Sequence, residues 1–550
     1  MSDRGAVASD AAADQTALRA IHEAAQAGDQ SRAIALAQAA LDGGLEHPLV
    51  LNVAALGLER QGRHADALPL LERAVQLAPR DTGSRNALGL CLQQLERPAE
   101  ALAHFDALLL LNPSLSFAHA SRGNALLEVG EIQEAEASFQ RALSLDPAQA
   151  VALAGLAHIA SGRGASAPAR EWAERALELI PGLPRAVMSL AAAELTDRRA
   201  TQAEARVRSL LDDAGITDLE RAYASGLLGD ALDAQDQIAA AFAAYTACNE
   251  ELRRAYATRY ASGTTALEYA QSMRRYFERA HPERWRATAP PGKDFSGIRG
   301  HVFLLGFPRS GTTLLEVILQ GHPEVVSLGE HELFIDSVQQ FMQRPEDLEH
   351  LVQASPATLA AAREAYWRRV AQSGCEVAGK VFVDKYPLNT LKLALIARLF
   401  PGAKILFACR DPRDIVLSCF RHRFRMSAPV YELLSIEGAA RYYDAVMGVL
   451  VRVTGLLPLD IALIRHEDLV SAFAREMKRI CEFLGLKWDP AMGDFALRTR
   501  DRPGAAASKT QLVRSFATEG LGYWYRYRDQ LAPLQGLLEP WVKRFYYDAH

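Results

Sequence analysis

At 550 residues the chain is longer than one hydrophobic core serves, so at least two domains are expected. Hydrophobic residues make up 49% and charged residues 23%, an ordinary globular composition, and the net charge of −5 leaves no general basic footprint for nucleic acid. Any anion site must be built from a local cluster of cations. The six cysteines (Cys91, Cys248, Cys375, Cys409, Cys419 and Cys481) show no C-x-x-C pairing, which fits reduced structural thiols and argues against a disulfide framework or a zinc site. The opening MSDRGAVASDAAADQ lacks the apolar core of a signal sequence, and no run of about 18 apolar residues occurs. Residues 1–14 are therefore read as a disordered lead into a cytoplasmic protein.

Prolines then fall at Pro79, Pro113, Pro147 and Pro181, 34 residues apart each time. In the same frame Leu77, Leu111, Leu145 and Leu179 recur, as do Ala33, Ala67, Ala101, Ala135, Ala169 and Ala203. Small residues at a fixed point let paired helices approach, and each proline stops one helix and resets the next. Gly89 and Gly123 hold the matching small position in first helices. The pattern resembles the tetratricopeptide repeat, and the expected array covers residues 15–240. The resemblance implies a concave surface receiving a peptide or partner protein; a spacer or dimerisation arm is the alternative, with which a homodimer is compatible. Two further helices within Ala240–Trp285 suggest a helical linker over residues 241–299.

From residue 300 to 550 the pattern changes to apolar strands alternating with amphipathic helices, at 301–305, 381–383, 404–408 and 460–464, with a short candidate at 325–328. That alternation predicts an α/β domain with a parallel sheet and ligands at the carboxyl ends of the strands. Its first strand, HVFLL, runs into GFPRSGTT and an apolar helix, so Arg309, Ser310, Gly311, Thr312 and Thr313 form a loop suited to an anion at a helix N-terminus. The spacing is that of a P-loop, but Thr312 stands where a nucleoside triphosphatase places lysine. After strand KILFA, Arg410 is followed eight positions on by Ser418, a guanidinium and a hydroxyl suited to one phosphate. An ion-pair cluster of Arg410, Asp411, Arg413 and Asp414 is the plainer reading of the same stretch. Further on come VDKYPLN with Lys385, and SKTQLVR, Ser508 to Arg514, ahead of Trp524.

These four ordered motifs, over about residues 300–530, resemble the sulfotransferases that use 3′-phosphoadenosine 5′-phosphosulfate (PAPS), and the tyrosylprotein sulfotransferases in particular. The whole chain is similar to bacterial sulfotransferases linked to tetratricopeptide repeats. The resemblance implies that Arg309 to Thr313 hold the 5′-phosphosulfate, that Arg410 and Ser418 hold the 3′-phosphate, and that Ser508 and Arg514 lie in a loop closing over the nucleotide. It places Lys385 beside the transferring sulfuryl group and a glutamate as general base. Counted from Arg309 that base is Glu330; anchored on the glycine of Gly329-Glu330-His331-Glu332 it is His331. Tyr523 stands where the family has a nucleotide-binding lysine, which Arg526 or Lys509 would replace. The implied acceptor is a hydroxyl of a protein tyrosine, peptide or glycan, with no metal because a sulfuryl group carries less charge than a γ-phosphoryl group. A catalytically inactive repeat scaffold is the competing reading.

Overall fold

The computed structural model describes residues 3–285, 297–494 and 521–547. It divides into two compact units, Met1–Ala193 and Glu194–His550.

The first unit is built from antiparallel helix pairs. Leu77, Leu111, Leu145 and Leu179 are each the last residue of a helix (His64–Leu77, Pro98–Leu111, Ile132–Leu145 and Ser166–Leu179), with the periodic proline two residues beyond. Ala67, Ala101, Ala135 and Ala169 are all fully buried. A Cβ on Gly89 would stand 2.6 Å from the Phe105 ring, and one on Gly123 would stand 2.5 Å from Phe139, so a larger residue would push these helix pairs apart. The first helix starts at Asp3, inside the segment expected to be a lead; its alanine-rich sequence is a strong helix former. The side chains of Glu59, His64 and Cys91 converge here, their ligand atoms within 4.8 Å of one another. No linear spacing announces that group, and burial, followed by the nearby Glu59 carboxylate, pushes the Cys91 thiol up to about 11.

The second unit holds a five-stranded sheet in the order β2-β3-β1-β4-β5, with all its pairings parallel. The strands are β1 (Gly300–Leu305), β2 (Val325–Ser327), β3 (Val381–Lys385), β4 (Lys404–Cys409) and β5 (Asp460–Arg465). Period-two alternation splits their side chains between two cores. Phe303, Leu305, Phe382, Ile405 and Phe407 face one, which includes the helix Ile436–Leu456. Val302, Leu304, Val381, Val383, Leu406 and Ala408 face the other, with the helices Thr312–Leu319 and Phe473–Leu484. A sheet covered on both faces needs apolar strands, and β1 and β4 in its middle are apolar and buried over Val302–Leu305 and Ile405–Cys409. Because β3 and β4 flank β1 on opposite sides, the chain reverses its direction of sheet growth there, opening a crevice at the carboxyl ends.

Helices Ala200–Leu211, Asp218–Asp233 and Ile238–Tyr260 belong to this second unit, although the sequence reading carried the repeat array to residue 240. Part-buried ion pairs bind the helix Asp218–Asp233 to the sheet domain: Arg421 Nη2 lies 2.6 Å from Asp233 Oδ2 and Arg423 Nη2 lies 2.5 Å from Asp230 Oδ2. Asn249 Nδ2 also donates to the Phe420 carbonyl at 2.8 Å. The helix Ala266–Arg279, within the expected linker, buries Ala270, Met273 and Phe277 in the main core.

Candidate active site

The loop after β1 is shaped by two close approaches. A Cβ on Gly306 would meet the Ala408 carbonyl oxygen at 2.7 Å, so only glycine lets the loop fold against β4. Gly311 has φ +99° and caps the helix Thr312–Leu319 without a side-chain hydrogen bond. That helix start therefore offers N–H groups to a ligand. Ser310 is 1% exposed and its Oγ has no partner among the described residues. Arg309 adopts φ +71°, a conformation that costs a non-glycine residue about 1–2 kcal/mol.

Arg309 Nε donates to Ser418 Oγ at 2.9 Å, joining the first loop to the helix Pro412–Arg421. Burial, with Arg410 and Arg421 close by, lowers the Arg309 guanidinium to about 10. No carboxylate pairs with it among the described residues. A largely enclosed cation without a counter-charge is costly, and an anionic ligand would reduce that cost. Arg410 follows β4 directly, its Nη2 at 3.4 Å from Asp414 Oδ2, the outer limit of a hydrogen bond. Asp414 also accepts the N–H groups of Gly522 at 3.0 Å and Trp524 at 2.7 Å, and burial pushes it up to about 6. Arg413 pairs with Asp411 at 2.6 Å and lies 3.8 Å over the Trp524 ring. The ion pairs of the plainer reading thus exist, but they anchor the Gly522–Trp524 segment within the domain rather than lying on an open surface. Thr312 is buried and Thr313 half-buried at the helix start, while Ser508, Lys509 and Arg514 lie outside the described residues.

On the other side of β1, Lys385 is the last residue of β3, with its side chain 4% exposed. Its Nζ lies 2.6 Å from Glu330 Oε1 and 3.4 Å from Glu316 Oε2. Glu330 sits in the loop between β2 and the helix Ile335–Phe341, with 52% of its side chain exposed. The neighbouring His331 is exposed, and Glu332 pairs instead with Lys392 at 2.6 Å. Beneath Lys385, Tyr366 donates its hydroxyl to Asp384 Oδ2 at 2.8 Å and lies 2.9 Å from His301 Nε2. With the tyrosine proton spent on Asp384, His301 must donate through Nε2; burial lowers that imidazole to about 3, so it is neutral.

Tyr523 does not face an open anion site: its hydroxyl donates to Asp233, which also accepts from Tyr527 at 2.6 Å. Arg526 is held by Asp233 at 3.1 Å and by Asp236 at 2.7 Å. Two guanidiniums lie over the Tyr523 ring, Arg421 at 4.7 Å and Arg526 at 4.8 Å. Sequence reasoning missed Glu316, Asp233 and Arg421, and read Asp414 only as part of an ion-pair cluster. Glu316 alone left a signal, as the one charge in the apolar helix TTLLEVIL.

Residues 301–490 match the model described as the sulfotransferase family. Residues 18–82, 52–116 and 116–149 match tetratricopeptide repeat models. The chain is 25% identical over 377 residues to an Aquifex aeolicus (strain VF5) protein named only as uncharacterized, covering 66% of this chain and 47% of that one. It is 24% identical over 266 residues to protein-tyrosine sulfotransferase A of Caenorhabditis elegans, covering 45% of this chain and 67% of that one. With protein-tyrosine sulfotransferase 2 of Gallus gallus it shares 26% over 239 residues, 40% of this chain and 62% of that one. The chain thus spans about half to two thirds of the length of these relatives.

Proposed function

We propose that this chain, which carries a sulfotransferase-family domain behind tetratricopeptide repeats, moves the sulfuryl group of PAPS to a hydroxyl oxygen of a protein tyrosine, peptide or glycan. The observation that carries the reading is the convergence of Arg309 with Ser418 and of Lys385 with Glu330 at the carboxyl ends of β1, β3 and β4. The donor is a substrate. Arg309, which has no carboxylate partner among the described residues, the Ser310 hydroxyl and the helix start without a side-chain cap suit its 5′ end, and Arg410 with Ser418 suits its 3′-phosphate.

In the reaction a bond forms from the acceptor oxygen to sulfur while the bond from sulfur to the bridging oxygen breaks, leaving its electron pair on the phosphate of 3′-phosphoadenosine 5′-phosphate (PAP). Glu330, exposed toward an incoming acceptor, takes the hydroxyl proton. Lys385, Arg309 and the N–H groups at the loop helix oppose the charge growing on the leaving oxygen, so the protein contributes positioning and electrostatics. The repeats supply a surface for a long acceptor or for a partner protein.

Purified protein incubated with labelled PAPS and a panel of tyrosine peptides, glycans and small phenols tests this reading. Label should move to a hydroxyl-bearing acceptor, with peptides or glycans above phenols. PAP binding without any transfer would favour the inactive scaffold.

A further inference from the structure

Glu316 is a carboxylate in an apolar place. It lies in the helix Thr312–Leu319 with its side chain 2% exposed, among Leu314, Leu315, Val317, Ile318 and Leu319. Burying a charge there is unfavourable unless it is paired and hydrogen-bonded. Its Oε2 lies 3.4 Å from Lys385 Nζ, and its Oε1 accepts the Ser327 hydroxyl at 2.7 Å. Ser327 Oγ in turn accepts the Gly329 N–H at 3.3 Å, one residue before Glu330. One carboxylate thus ties together the helix of the anion loop, the end of β3 and the turn that presents Glu330.

We propose that Glu316 is a positioning residue of the transfer reaction, holding the Lys385 ammonium at the site throughout turnover; the inference rests on the sulfotransferase reading given above. Lys385 has two carboxylate partners of opposite character, Glu330 at 52% exposure and Glu316 at 2%. Once Glu330 has taken the acceptor's proton it is neutral and no longer a counter-charge. Glu316 is buried away from the exposed Glu330, so its contact with Lys385 persists and keeps the ammonium seated as the leaving oxygen becomes negative. Without Glu316 the ammonium would follow the exposed Glu330 outward, and each proton transfer would strip it of a carboxylate partner. Ser327 completes the device by fixing the Glu316 rotamer and the Gly329 turn together, so that the distance from Lys385 to Glu330 is set by buried groups.

The test uses the full chain, with PAP as the binding probe and single-turnover decay of labelled PAPS, water serving as acceptor, as the kinetic probe. Glu316→Gln keeps shape and hydrogen bonding. It should leave PAP affinity within about twofold of wild type while slowing decay about 10- to 100-fold. Combined with Lys385→Ala it should add nothing to the loss from Lys385→Ala alone, because Glu316 acts through that lysine. Ser327→Ala, read alongside by thermal melting, should slow decay less and in the same direction, and it carries the test if Glu316→Gln unfolds. Wild-type decay in both variants, or a loss that multiplies with that of Lys385→Ala, overturns the inference. A wild-type chain that neither binds PAP nor speeds PAPS decay overturns the sulfotransferase reading itself, which separates the two failures.

Discussion

The ammonium of Lys385 lies 2.6 Å from Glu330 Oε1 and is nearly sealed from water, while the carboxylate it holds is half exposed. A cation fixed from within and a base open to the outside is the arrangement expected when the acceptor arrives from solvent and the donor lies deeper in the cleft. Glu330→Gln should therefore lower kcat by about two to four orders of magnitude, since it preserves size and cannot take the proton. His331→Ala should change little. A dead His331→Ala beside an active Glu330→Gln would assign the base to the histidine.

Arg309 is held at positive φ and part-buried with no carboxylate partner among the described residues, two costs that the nucleotide-free protein bears. Arg309→Gly should remove both, raising the unfolding free energy of the unliganded protein by about 1 kcal/mol, while PAP affinity falls. Calorimetric melting and PAP titration of the same sample check the opposed signs. A destabilised variant would mean that Arg309 is paired in solution.

Arg410→Ala should weaken PAP by about 1.5–3 kcal/mol, the scale of a charge-assisted hydrogen bond. Unchanged affinity in a calorimetric titration would remove Arg410 from the nucleotide site.

Burial raises the Asp384 carboxyl to about 7 from an ordinary 3.8, opposed by the Tyr366 hydrogen bond and Lys392 and assisted by Glu332. The folded protein thus keeps a proton that the unfolded chain has released. Stability from this group is fully present below about pH 4 and is lost as pH rises to about 7. Asp384→Asn, which still accepts the Tyr366 hydroxyl, should flatten that part of the melting profile relative to wild type. An identical slope in the two proteins would show that Asp384 is ionised in the fold.

The position of the last helical hairpin decides where the repeats can be removed. A chain lacking residues 1–193 keeps Asp230 and Asp233 and should bind PAP normally while losing activity toward a long acceptor. A chain lacking residues 1–240 loses the helix Asp218–Asp233, its ion pairs to Arg421 and Arg423 and the partners of Ala241 and Tyr245 in the main core, and should fail to fold. Nucleotide binding by the shorter chain would show the hairpin to be dispensable.

Much of this was legible in the sequence because it follows from local pattern. The 34-residue interval of proline and alanine marked the helix pairs, and β1, β3, β4 and β5 read directly as apolar runs, each within two residues at its ends. Arg309, Lys385 and Arg410 stood out in the sequence because each lies at or just past a strand end. Glu316 and Asp233 were not, since their roles depend on partners 69 and 188 positions away in the chain. The helix Asp218–Asp233 has a repeat-like sequence yet falls in the second compact unit, where Asp233 and Asp230 pair with Arg421 and Arg423, 188 and 193 positions away. Ser508 and Arg514 lie outside the described residues.

The central claim is that the loop at Arg309 and the pair at Arg410 and Ser418 form one site for a nucleotide with phosphates at both its 5′ and 3′ positions. Titrating the full chain by calorimetry with PAP, and separately with ATP and with adenosine 5′-phosphosulfate lacking the 3′-phosphate, tests it most directly. The account predicts saturable one-to-one binding of PAP, at least tenfold weaker binding of the two nucleotides without a 3′-phosphate, and loss of that preference in Arg410→Ala. ATP binding as tight as PAP, or no preference for the 3′-phosphate, would contradict it.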